Sequence, residues 1–509
     1  MRHVLLPLTG AFLLAVPTLA AEATLSWTGG QLGGTVTYDL MGDGGQLFAL
    51  KPSMVLQSTP LPGGTLDIGL DLVGLMVVGQ LSFGSGTAQV AYALPNDISF
   101  SGLPLHAQFV TLPGPFGIVD EVSNRTTFVT GFPNSIHPTF GDVAVPRSGH
   151  TVTELGDGRV VLAGGVEVAA TGSFVTASIE IYNPDTQEFA ELPTGLAAGR
   201  TGHTATRLFD NRVLLVGGFD STNTPLATAE VFDPVTNTAT PVPNMSTART
   251  FHTATRLNDG RVLVLAGTSS FNASDIVGLA AATLQSSELF DPNTNTWSNG
   301  PDLPISGPYG AIGQATSVLP SGRVLVTGGL VVGSFFGIPT PAVSNGAWRY
   351  DPITNGFLAT SSMATPRLFH GQTTLPDGRA LVVGGSDLDI LTQVATPLAS
   401  CERYTAGGSF AAAPALNHAR AYPNLIDTGL GLVVLGGLAT ANIATVSGTP
   451  EPTIELAPYS VAQWTDGPDL LGMRQLVSAT TIDSGQRILI TGAGDGPPVP
   501  DASAEQYLR

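Results

Sequence analysis

The sequence predicts an all-β protein in two parts, a small β-sandwich followed by a closed ring of seven four-stranded sheets. Three observations point there. A unit of 49 to 62 residues recurs seven times from Arg147 to the end of the chain. Each copy holds four short apolar or alternating runs separated by turn residues, the pattern of one four-stranded sheet. Gly (62) and Pro (38) make up about a fifth of the 509 residues, a turn-rich composition without a collagen triplet period.

Charge narrows the possible partners. Asp and Glu number 39 against 20 Lys and Arg, a formal net charge of −19, and Lys51 is the single lysine. No basic stripe is available to neutralise phosphates, so nucleic acid and anionic membrane surfaces are poor partners. The lone cysteine, Cys401, excludes an internal disulfide and a cysteine-rich zinc site.

Residues 1–21 read as a secretory signal peptide. Met1-Arg2-His3 is a short basic start, Val4 to Val16 is mostly apolar, and Pro17 to Ala21 ends in small residues. The apolar run is short for a span, so the mature chain is expected to be secreted or periplasmic, without a transmembrane segment. Residues 24–128 carry runs such as Thr35 to Tyr38, Gln89 to Tyr92 and Ala107 to Thr111 between Gly and Pro turns, and read as the β-sandwich. Residues 129–139 read as a linker and 140–509 as the ring.

The repeats begin at Arg147, Arg200, Arg249, Ala311, Arg367, Arg420 and Arg474. A typical copy runs from Arg200-Thr-Gly-His203 to Val213-Leu-Leu-Val216 and the pair Gly217-Gly218. Its second half is Glu230-Val-Phe232-Asp-Pro234. Unbroken apolar runs suit strands covered on both faces, and the Gly pair suits a chain leaving a strand through conformations closed to other residues. The seventh copy ends after its third strand, at Glu505 to Leu508. An unpaired edge would remain, so residues 140–146, starting at Phe140, are expected to supply the missing outer strand.

The period near fifty, the four strands and the paired Gly resemble kelch repeats. The implied fold is a seven-bladed kelch β-propeller similar to the central domain of galactose oxidase. Ala93 to Asp97, Gly102 to Gln108 and Ser123-Asn124 also resemble a short accessory module of secreted bacterial proteins.

Comparing the copies yields one chemical inference. Six have Arg at the start and six have Glu two residues before the third-strand aromatic position; the fourth copy lacks both, with Ala311 and Trp348. Partners lost together are expected to touch. This assigns the pairs Arg147–Glu180, Arg200–Glu230, Arg249–Glu288, Arg367–Glu402, Arg420–Glu455 and Arg474–Glu505, expected to be at best partly buried.

Residues for chemistry are sparse. Galactose oxidase relatives hold copper with two tyrosines, one joined to a cysteine, and two histidines, one of them from a domain beyond the propeller. Here the repeats run to the last residue and Cys401 fills a small apolar strand slot, so neither copper nor any other metal or cofactor is expected. His150, His203, His252 and His370 share one repeat position; they could ring the channel and hold a metal, but each is expected to hydrogen-bond within its own blade. No catalytic residue is assigned. Two apolar inserts, Thr268 to Ser286 with Phe271 and Leu330 to Gly346 with Phe335 and Phe336, follow Gly pairs, and Asp220 and Asp387 lie in similar loops. These five side chains are the candidate ligand contacts. The expected function is non-catalytic binding of a protein or glycan, outside the cytoplasm, through one face of the disc. The alternative is a carbohydrate-active propeller enzyme, a sugar epimerase or mutarotase or an oxidase-like protein.

Overall fold

The structure is a computed structural model. It describes residues 24–29, 35–41, 46–53, 59–61, 64–66, 77–80, 87–93, 104–112, 121–122 and 126–129. It also describes 134–508, apart from 140, 170–171, 271–275, 307–308, 337, 391, 443–446, 473, 475–476 and 493–501. The signal-peptide assignment, Phe140 and Phe271 therefore lie outside the described residues. The chain divides into two units, Met1–Phe132 and Pro133–Arg509.

In the first unit, strands Thr24–Gly29, Thr35–Met41 and Thr87–Ala93 form one antiparallel sheet. Thr126–Val129, Pro104–Leu112, Leu47–Ser53 and Val77–Gln80 form the spine of another. Their alternating inward residues meet in a single core: Leu25, Tyr38, Leu40 and Val90 from the first sheet, Phe48, Leu50, Leu105 and Ala107 from the second.

The second unit is a ring. Its innermost strands are Thr151–Glu154, Thr204–Arg207, Thr253–Arg256, Ala315–Val318, Gly371–Thr374, Asn424–Asp427 and Ser478–Ile482. Each lies beside the next, and the last beside the first. Each opens an antiparallel sheet of four strands running outward. The second strands, such as Val213–Val216 and Val262–Leu265, are buried at every residue, whereas outer strands such as Glu188–Glu191 are largely exposed. That gradient explains why the apolar runs show no alternation: the second strand has a neighbouring sheet on both faces.

Closure differs from the sequence expectation. The strand beside Glu505–Leu508 is Ser135–Pro138, with Ile136 opposite Tyr507, rather than residues 140–146. Ile136 packs with Ile488 and Tyr507 between the last two blades, and the Tyr507 hydroxyl bonds Asn134. Residues 141–146 serve a different need. The Ala144 and Val145 amides donate to the two carboxylate oxygens of Glu180, at 2.7 and 3.0 Å. The span 129–139 is accordingly no free linker: Val129 ends a strand of the first unit and 135–138 belongs to the ring.

All six Arg–Glu pairs are in contact, with Nη2 to Oε1 distances of 2.5 to 3.0 Å. The expectation of partial burial was too low, since every arginine side chain is 0% exposed and no glutamate exceeds 5%. Burial is tolerated because most of the other donors and acceptors are met, although Nε of Arg200, Arg249, Arg367 and Arg420 finds no partner among the described residues. Arg200 Nη1 donates to the Gly217 and Thr228 carbonyls and Nη2 to the Thr228 hydroxyl; Glu230 also accepts the Ala197 amide. The pair thereby fixes the segment entering each blade to that blade's second and third strands. The neighbouring blade is held by backbone: Gly218 N–H donates to the Arg249 carbonyl, and Gly267 N–H to that of Ala311. A side chain at Gly217, whose φ is +62°, would put a Cβ 2.5 Å from the Arg249 oxygen. The fourth blade replaces the pair with Ala311 and Trp348, packed in an apolar cluster with Leu265 and Val326.

Two outcomes follow from this architecture. A chain beginning at Asn134 should denature at higher urea than one beginning at Gly141; equal midpoints would show that Ser135–Pro138 is not the clasp. Arg200→Ala and Glu230→Ala should each cost about 3–5 kcal/mol by stranding a buried charge, and the double variant clearly less than their sum. Additive losses in a double-mutant cycle would mean that the two side chains do not act together.

Candidate functional site: the central channel and its two faces

The channel has chemically distinct ends. One lies at the Gly pairs and the Arg-x-x-His segments; the other lies at the turns after the innermost strands, such as Leu155 to Arg159.

At the first end, the third position of Arg-x-x-His forms a collar. Gly149, Gly202 and Gly313 have φ of +62°, +61° and +71°, and Phe251, Phe369 and Tyr422 adopt +52°, +49° and +54°. Bulky residues in that region are strained by about 1–3 kcal/mol each. Backbone bonds link the collar between blades: Phe251 N–H to Gly202 O, Phe369 N–H to Gly313 O and Tyr422 N–H to Phe369 O. The rings gather, Phe219 to Phe251 at 6.0 Å, Phe251 to Phe369 at 6.4 Å and Phe369 stacked on Tyr422 at 4.3 Å. Gly313 makes the room, because a Cβ there would come 3.0 Å from Phe369.

Hairpins inserted after the Gly pairs rise from the same face. Val166–Ala169 pairs with Gly172–Val175 in the first blade, and Leu330–Phe335 with Ile338–Val343 in the fourth. Ser386–Asp389, Val394–Pro397, Leu438–Asn442 and Ser447–Pro450, from the fifth and sixth, form a shared four-stranded sheet. The apolar inserts of the third and fourth blades pack on each other: Leu279 of the short helix Ile276–Ala281 is buried with Ile312 and Leu330. The structure therefore does not leave those inserts as one open apolar patch.

The candidate ligand contacts are spread out. Phe336 sits at the tip of the fourth-blade hairpin, 91% exposed, and Phe335 ends the strand before it. Asp387 is exposed on the strand Ser386–Asp389, which lies beside that hairpin. Asp220 belongs to the second blade, where its carboxylate closes a turn onto the Thr222 hydroxyl at 2.6 Å and is held below the usual range by that bond.

The repeated histidines are buried and reach across blade boundaries, not within their own blade as expected. His150 Nε2 bonds Thr491 at 2.7 Å, His203 bonds Thr151 at 3.0 Å and His252 bonds Thr204 at 2.9 Å, each in the preceding blade; His370 bonds Thr327 likewise. The reason is geometric, since the position adjoins the two inner strands of the blade before it: Thr151 and Thr204 are in first strands, Thr491 and Thr327 in second strands. Burial, then the neighbouring arginine, pushes His150, His252 and His370 down to about 3, and the same causes hold His203 well below its usual value. These rings stay neutral. No group of three or more His, Cys, Asp or Glu is gathered for a metal among the described residues. Cys401 is buried, its thiol pushed up to about 11 by burial, and its Sγ–H points to the Ala399 carbonyl. Among the described residues, the repeated histidines, each turned to a threonine, and the buried Cys401 thiol do not converge as copper ligands would.

At the other end, hydroxyls and amides tie the innermost strands together: Thr255 to Thr316 at 2.8 Å, Thr374 to Ser317 at 3.0 Å and Thr481 to Glu154 at 2.9 Å. There Ala205, Thr206, Arg207, Ala254 and Arg256 line an open cavity of about 500 Å³. The two arginines and the aromatic collar went unassigned from sequence. Both left a trace there: Thr-Ala-Thr-Arg ends at Arg207 and again at Arg256, and Gly alternates with aromatics in Arg-x-x-His.

Comparisons with known proteins agree with this geometry. The Kelch motif family matches residues 200–246, the second blade. No curated protein matches the chain. A solved fungal alcohol oxidase described as having catalytic diversity among the AA5 family, in complex with copper, is similar over 74% of this chain and 76% of its own, with 15% identity and a TM-score of 0.54. The structure of YjhT is similar over 64% of this chain and 99% of its own, with 14% identity and a TM-score of 0.46. The chain is a kelch-repeat propeller, all-β in class apart from short helical segments, and it resembles the galactose oxidase propeller. Among the described residues no helix is long and apolar enough to cross a membrane.

The neutral histidines give a pH dependence. Unfolded, each binds a proton near pH 6.5; folded, His150, His252 and His370 bind one only near pH 3, so stability falls as pH drops from about 6.5 towards 3. His370→Gln, the residue type that Gln314 already supplies in the fourth blade, should remove about 1.4 kcal/mol per pH unit of that slope between pH 6 and 5. Urea midpoints across that interval test this, and an unchanged slope would mean that the ring is not held neutral.

Proposed function

We propose that the protein is exported and acts without catalysis, binding a protein or glycan outside the cytoplasm through the face that carries the inserted hairpins. The observation behind this reading is the side-chain chemistry of those hairpins. Phe174 in the first blade, Phe336 in the fourth and Val394 in the fifth are 45%, 91% and 46% exposed. Large apolar side chains on projecting loops of a rigid scaffold suit recognition, and Asp387 adds a polar contact beside them. The four repeated histidines are buried and bonded to threonines, and so are not offered to a ligand on this face for acid–base work.

The test is a glycan array and a protein display screen on the mature chain, repeated with Phe336→Asp and Phe174→Asp. A binder should be found whose affinity falls at least about tenfold, or 1.4 kcal/mol, in those variants. Conversion of a sugar, followed by NMR and unaffected by either substitution, would instead favour the carbohydrate-active alternative.

A further inference from the structure

We propose that the channel mouth remote from the Gly pairs binds the oxyanion group of a small ligand, a carboxylate or a sulfate, between Arg207 and Arg256. This site lies at the opposite end of the channel from the inserted hairpins and does not depend on their role.

The two arginines occupy equivalent positions on neighbouring innermost strands, each at its last residue. Each makes one hydrogen bond among the described residues: Arg256 Nη1 to the Arg207 carbonyl at 2.5 Å, and Arg207 Nη1 to the Glu154 carbonyl at 3.2 Å. The remaining N–H groups are left for the cavity, since a guanidinium carries five. Arg256 lies 4.3 Å over the ring of Phe209, which holds its plane. Neither arginine has a carboxylate within ion-pair distance among the described residues, whereas Arg159, Arg212 and Arg379 at equivalent turns of other strands are each paired with an Asp two residues earlier. The nearby Glu154 carboxylate accepts the Thr481 hydroxyl. Burial and the Arg207 charge both act against the charge on Arg256.

Glu154 and Arg207 feel each other's charge without forming an ion pair; two adjacent cations so weakly countered are stabilised by an anion placed between them, and their planar donors match carboxylate or sulfate oxygens. Thr206, with a hydroxyl as a further donor, also lines the cavity. Ala205 and Ala254 leave the space open, and about 500 Å³ suits a ligand of sugar size. In a chain of net charge −19, the attraction must come from this local pair and not from the overall field.

The experiment titrates the full chain with sodium sulfate, sodium glucuronate and glucose at low, matched ionic strength, read by calorimetry and thermal denaturation. At least one anion should bind with 1:1 stoichiometry and raise the melting temperature, while glucose and matched chloride should not. The stronger of the two anions identifies the group as tetrahedral or planar. Arg207→Gln and Arg256→Gln should each weaken binding at least tenfold, and Arg379→Gln should leave it unchanged. If Arg256→Gln lowers the urea midpoint, Arg256→Lys keeps the charge and the stem over Phe209, and should still weaken binding. No response to either anion at millimolar concentration, or equal affinity in both Arg207 and Arg256 variants, would overturn the proposal.

Discussion

Six buried guanidinium–carboxylate contacts, each within one blade, fix the blades from which this ring is built. An isolated charge in such a place would be untenable, and each pair survives because most of its other donors and acceptors are met by backbone groups and hydroxyls. The carboxylate takes amides from the segment entering the blade. The guanidinium takes carbonyls at the Gly turn and at the start of the third strand. One side-chain contact thus joins three parts of a blade: the entering segment at Ala197 and Arg200, the Gly turn at Gly217, and the third strand from Thr228 to Glu230. The fourth blade shows that the geometry has an apolar solution as well: Ala311 and Trp348 fill the space with packing. What the ion pair adds is direction, since apolar contacts alone would tolerate other arrangements of the entering segment.

Between blades the binding is of another kind. Backbone bonds run from the second Gly of one blade to the entry residue of the next, so they survive whatever side chain stands there. Neutral histidines and hydroxyls add side-chain bridges across the same boundaries. The ring closes through a strand from upstream, Ser135–Pro138, which places the two chain ends of the propeller in one sheet and removes a free edge.

The two channel ends differ because different parts of the repeat supply them. Aromatic collar residues sit on the entry segments, where the chain turns through left-handed conformations and projects side chains toward the axis. Arginines sit where innermost strands end, beside short turns that leave open space. The inserted hairpins extend only the collar end, because the Gly pairs are there. A scaffold of near-identical sheets therefore presents two unlike surfaces, one apolar and built up, the other polar and hollow.

The sequence alone determined the repeat, the four strands of each copy and the identity of the six ion-pair partners. These are legible because a residue repeated at one position in copies of one unit must meet one environment, and a joint exception in the fourth copy marks a joint contact. Burial of those pairs, the closing strand and the reach of the histidines were decided by tertiary structure. Residues 140–146 look as strand-like as 135–138 in isolation; what separates them is the register against Glu505–Leu508 and the need for Ala144 and Val145 to bond Glu180. His150 has its partner 341 residues away, in a blade that becomes its neighbour only when the ring closes. Arg207 and Arg256 likewise read as ordinary surface arginines until two strands lie side by side and no described carboxylate comes within ion-pair distance of them.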